Sequence, residues 1–191
     1  MRKKKSLTPE QEERAFWKSS FNFEQLEDIP EEVNHLNLKE SSITDAELAY
    51  ICKRMRRINM LDLHCTTITN EGIQHLTKLE SLKELRLKEN SEIDNGCMQF
   101  IKQLRDLVFL HLRATNVNVI GLKEITSLQN LHTVLISDDR SPGVIEAEMK
   151  VITKAMPDCF FSVNGQNWFP LQPWERLMQD QEKDDTIQPG L

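Results

Sequence analysis

An apolar pattern returns every 24 or 25 residues along most of this chain of 191 residues. It is clearest from Ile58 to Leu82, INMLDLHCTTITNEGIQHLTKLESL. The segment opens with Ile58-x-x-Leu61-x-Leu63, passes through Ile68-Thr69, and continues as an apolar helical face at Ile73, Leu76 and Leu79. The opening then recurs as Leu82-x-x-Leu85-x-Leu87. Strand alternation followed by helical spacing, then the same again, predicts coils that stack and share one core.

The phase extends in both directions. Its central apolar position falls at Leu36, Leu61, Leu85, Leu110, Val134 and Cys159. Two residues later come Leu38, Leu63, Leu87, Leu112, Ile136 and Phe161. From Val33 to Val163 the chain resembles the leucine-rich repeat family, whose pattern is L-x-x-L-x-L-x-x-N/C-x-L. ITDAEL and ITNEGI, each following a strand, are similar to the short repeats of bacterial and cysteine-containing types. The resemblance implies an α/β solenoid with a parallel β-sheet on the concave face and short helices on the convex face.

Nine residues into each coil the family pattern asks for Asn or Cys, whose side chain bonds main-chain groups inside the stack. Here Ser41, Thr66, Asn90, Thr115 and Asp139 stand there, all short and polar, and so able to serve a tight turn. One extra residue between Leu87 and Ile93 predicts a small bulge at Asn90-Ser91.

The ends lack the phase. Residues 1–7 form a basic tip expected to be disordered. Residues 8–32 read as an N-terminal helical cap. Thr8 and Gln11 have capping-box spacing, with Pro9 at the first helical position. That helix is expected to reach about Ser19. An F-box would need a longer, multi-helix pattern. Thr44-Asp45-Ala46-Glu47 is another box, opening the first coil's helix. A longer helix is expected from about Val144 to Met156, stopped by Pro157, with a last strand at 158–163. Residues 164–178, carrying Trp168, Phe169 and Trp174, read as a C-terminal cap, and 179–191 as an acidic, disordered tail.

Composition narrows the classes. The net charge of −6 is spread along the chain, so nucleic acid is not the expected partner. No apolar run of signal-peptide or membrane-spanning length occurs, so a cytoplasmic location and no membrane partner are expected. Cys52, Cys65, Cys97 and Cys159 form no C-x-x-C pair and read as reduced packing residues. There is no G-x-S-x-G, phosphate-binding glycine loop or H-E-x-x-H. The expectation is therefore no enzyme, no catalytic residues, no cofactor and no metal. His35, His64 and His111 fall on different strands, with His35 and His111 about 14 Å apart along a sheet. Cys65 beside His64 lacks a positioned base.

Alternation leaves three outward rows. They are His35, Met60, Glu84, Phe109, Thr133; then Asn37, Asp62, Arg86, His111, Leu135; then Lys39, His64, Lys88, Arg113, Ser137. Met60, Phe109 and Leu135 are apolar residues expected to face solvent, and the third row is basic. Aromatic and Arg side chains anchor protein interfaces. The expected function is non-enzymatic binding of another protein through Met60, Asp62, His64, Arg86, Lys88, Phe109, His111, Arg113 and Leu135, by a chain that is monomeric alone. The alternative is a structural subunit docked into a larger assembly through its ends.

Overall fold

The computed structural model describes residues 7–168. The fold is α/β. Six parallel strands follow one another in sequence order: β1 (Glu32–Asn37), β2 (Arg57–Asp62), β3 (Ser81–Arg86), β4 (Phe109–Leu112), β5 (Thr133–Ile136) and β6 (Phe160–Val163). A seventh, β7 (Gln166–Trp168), pairs antiparallel with β6. Short helices link them: α1 (Pro9–Phe21) before β1, α2 (Asp45–Arg54), α3 (Asn70–His75), α4 (Met98–Ile101) and α5 (Pro142–Ala155). The β4–β5 connection contains only a 3-10 turn, Gly121–Ile125. Among the described residues no helix is long and apolar enough to cross a membrane.

Pairing aligns Leu36, Leu61, Leu85, Leu110 and Val134 on adjacent strands. From Leu61 onward these side chains are fully buried, as are Leu63, Leu87, Leu112 and Ile136 two residues later. They share one core with Leu48, Ile51, Ile73, Leu76, Ile101 and Leu122 from the connecting segments. Each strand therefore contributes every second side chain to a seam closed by the helices. The last step departs from the expected phase. Val134 pairs with Phe161, and Ile136 with Val163, an offset of 27 residues. Cys159 lies just before β6, not in the central row. The 14-residue α5 lengthens this connection.

Two side-chain ladders hold consecutive connections together. In the first, Ser41, Thr66, Asn90 and Thr115 each donate to the carbonyl three residues back, at Leu38, Leu63, Leu87 and Leu112. The residue before each donor, Glu40, Cys65, Glu89 or Ala114, is left-handed, with φ between 53° and 60°. Asn90 does more than its neighbours. It is buried, also donates to Leu63 O (2.8 Å), and accepts from Thr66 N (2.8 Å). The bulge follows it at Ser91-Glu92, closed by Ile93 N donating to Asn90 O. Asp139 does not belong to this ladder. It is exposed, and the buried residue is Asp138, whose carboxylate accepts from Val119 N (2.8 Å) and Arg140. The left-handed turn is absent there, and the Asp138 carboxylate accepts where the ladder side chains donate.

The second ladder runs along the helix starts. Asp45, Asn70 and Asn95 accept the backbone N–H of Thr69, Asp94 and Asn118 in the following connection. This close approach requires glycine below it. A Cβ at Gly72 would collide with Asp45 Oδ1 and lie 2.7 Å from Ile68 Cγ2, and one at Gly121 would collide with Asn95 Oδ1.

The N-terminal end is closed by α1. Its capping box joins Thr8 and Gln11, and it runs two residues past Ser19. The Thr44–Glu47 box also forms. Trp17 is fully buried, and Phe16 packs edge-on against it, with ring centroids 5.3 Å apart. Buried Glu13 bonds Lys53 and Arg54 of α2, both at 2.6 Å. Burial alone would push its carboxyl up, but these two cations outweigh burial and hold it below the usual carboxylate range. At the other end the cap expected at 164–178 begins as a hairpin. Asn164 (φ 52°) and Gly165 (φ 83°) turn the chain so that Phe161 faces Trp168. The expected disorder of residues 1–6 and 179–191, and the packing of Phe169 and Trp174, fall outside the described residues.

Candidate functional site

The strand residues that do not enter the core lie on the face opposite the helices. Pairing places His35, Met60, Glu84, Phe109 and Thr133 in one row, and Asn37, Asp62, Arg86, His111 and Leu135 in the next. The third row lies just past the strands. There Glu40 N donates to His64 O, Cys65 N to Lys88 O and Glu89 N to Arg113 O, so His64, Lys88 and Arg113 are also held side by side.

Met60, His64, Arg86, Lys88, Phe109, His111, Arg113 and Leu135 are all partly exposed on this face. Asp62 is the exception. It is 9% exposed, and its carboxylate accepts His64 N (3.1 Å), so it ties down the strand end and offers little open contact. His35, His64 and His111 belong to three different strands and are not brought together. No group of three or more potential metal-ligating His, Cys, Asp or Glu occurs among the described residues.

The centre of the face is built from β3 and β4. The Arg86 guanidinium lies over the Phe109 ring, 5.5 Å from its centroid, and Arg86 also meets Glu84 (3.3 Å). His111 packs edge-on to Phe109, with ring centroids 6.2 Å apart. Such contacts hold a guanidinium and a ring in place without removing either from solvent. Arg113 extends past β5 to donate to Ser162 Oγ of β6 (2.9 Å).

At the rim, Glu89 accepts from Lys88 (2.8 Å) and meets His64 Nε2 (2.9 Å). Hydrogen bonds from Lys88, then from His64, hold its carboxyl down at about 2. His111 is shifted the other way for an imidazole. Burial, then the charges of Arg113, Lys88, Arg86 and His64, push its pKa down to about 4. It is therefore neutral at pH 7 and surrounded by cations.

Spacing alone did not show three features of this face. Glu89 is captured by His64 and Lys88, Arg113 spans β5, and Asp62 turns back on its own strand. Only the last had a signal, because an Asp two residues before a turn is suited to accept a backbone N–H. The thiols divide clearly. Cys52, Cys97 and Cys159 are buried, and desolvation pushes each up to about 12, whereas Cys65 is exposed. In comparison with known proteins, the chain matches no family model and no curated sequence.

Proposed function

We propose that this chain is a leucine-rich repeat solenoid that binds another protein through the open, concave face of its sheet, with no chemistry of its own. One observation carries the reading: Met60, Phe109 and Leu135 keep apolar surface exposed on β2, β4 and β5, with Arg86 and Arg113 on the same face, on strands held in register. An aromatic ring with Arg beside it, on a rigid support, is the kind of anchor that dominates interface energetics. Strand offsets of 24 or 25 residues through β5, and the ladder of short polar side chains, support the repeat assignment. Four free cysteines support a reducing, cytoplasmic setting.

Affinity capture from native lysate tests the reading. A Phe109→Glu/Arg113→Ala chain is expected to lose partners that the wild type retains, while its circular dichroism stays unchanged. Recovery of the same partners by the variant would refute the assignment.

A second reading, docking through an end, is favoured by exposed Val144 (41%) and Val151 (58%) on α5. Under that reading Val151→Glu would abolish assembly, and the Phe109 and Arg113 changes would not.

A further inference from the structure

We propose that the Arg86–His111–Arg113 patch is a receptor for an acidic peptide segment, two of whose carboxylates engage the two guanidinium groups while an apolar side chain two residues away on the same face meets Phe109. This rests on the open-face reading and specifies the partner's chemistry.

Three observations lead to it. First, Arg113 has no carboxylate of its own among the described residues. Glu84 meets Arg86, and Glu89 meets Lys88, but Arg113 donates to the neutral Ser162 hydroxyl and to no carboxylate among the described residues. The charges felt at His111, between the two Arg positions, are all positive. This occurs in a chain whose net charge is −6.

Second, the patch contains unpartnered donors. Arg86 Nε, His111 Nε2 and Arg113 Nε are buried side-chain nitrogens without a hydrogen-bond partner. Those Nε atoms are covered, and Nη2 of each guanidinium is bonded to Glu84 or Ser162, so Nη1 is the donor left open to a ligand. A ligand carboxylate at Nη1 would supply a partner that the chain does not.

Third, the dimensions suit an extended peptide. Arg86 pairs with His111 on the neighbouring strand, and Arg113 lies two residues further along. One strand spacing and two residues of rise separate the guanidinium origins by about 8 Å. Alternate side chains of an extended peptide lie about 7 Å apart, so a Glu-x-Glu pair spans the two. The side chain between them points the other way, and the one two residues beyond the Glu at Arg86, on the same face, is available to the exposed part of the Phe109 ring.

The probe is a fluorescein-labelled decapeptide with a Leu-Ser-Glu-Ser-Glu core flanked by Gly and Ser. Its partner probe carries Leu-Ser-Gln-Ser-Gln, and both are titrated against the full chain by fluorescence anisotropy. The Glu probe is expected to bind at least about tenfold tighter than the Gln probe, and more weakly as salt rises. Arg113→Ala and Arg86→Ala are each expected to weaken it about tenfold or more, with Arg113→Lys between them and the wild type. Lys154→Ala, on α5, is expected to change nothing.

Equal binding of the two probes, no binding of either, or unaltered binding by both Arg→Ala variants overturns the proposal. So does a single-stranded oligonucleotide that displaces the Glu probe at equal concentration. If the probe fails while Phe109→Glu still abolishes partner capture, the acidic partner is wrong and the open-face reading stands. If the probe binds through Arg113 but capture ignores Phe109→Glu, the open-face reading fails.

Discussion

Left-handed backbone at a residue with a Cβ costs about 1–2 kcal/mol, and four such residues recur here at matching turns. Glu89 uses its turn to reach His64 and Lys88, whereas Ala114 is exposed and gains nothing from its Cβ. Ala114→Gly is therefore expected to raise the urea midpoint. The net gain is about 0.5 kcal/mol after the greater freedom glycine gives the unfolded chain.

His111 makes a second prediction. Unfolded, its imidazole gains a proton near pH 6.5. Folded, among Arg113 and the Arg86, Lys88 and His64 side chains of neighbouring strands, it does so only near 4. Between those values the unfolded state binds more protons, so stability falls as pH drops from about 6.5 towards 4. The loss is about 1–2 kcal/mol at a half-buried, partly screened site. Denaturation at pH 7 and pH 5 checks this: His111→Gln should lose less than the wild type.

At the scale of elements, both capping boxes, the strand rows and the long α5 could be read before any coordinates, because each is a local spacing. The boundary errors have physical causes. The step to Phe161 grew because α5 is longer than the helices before it, which no period can announce. Strand β7 was announced by Asn164-Gly165, but a three-residue strand carries too little alternation to stand out. The ladder from Asp45 through Asn70 to Asn95 was hidden for another reason. Each bond joins residues 23 or 24 apart, and short polar residues at helix starts already have a local explanation. That ladder is also where glycine is required. Gly121→Ala is expected to destabilise the chain by about 1–3 kcal/mol, since the Asn95 side chain must leave its bond to Asn118 N. Gly143→Ala, with nothing within 4 Å of the added carbon, is the control and should be neutral. Urea denaturation of the two variants side by side would show the contrast.

Across the whole molecule, one continuous core runs from Trp17 to Phe161, and it encloses three of the four thiols. In native buffer at pH 8, Ellman's reagent is expected to modify one thiol per chain rapidly, at Cys65. The other three should react only on unfolding. Cys65→Ser should remove the fast phase. A second fast thiol would mean that the core opens locally near Cys52, Cys97 or Cys159. Of the open face, the rows could be read from the sequence, but the pairing among their charges could not. That pairing is decided by side chains reaching across strands, as Arg113 does to Ser162.

Strand β7 runs back against β6 and is only three residues long. A parallel sheet extends by adding another strand in the same direction, and the edge that would template that addition is occupied by one pointing the opposite way. A second copy that laid its β1 along this edge would meet β7 in the antiparallel sense, out of keeping with the parallel register that the rest of the sheet repeats.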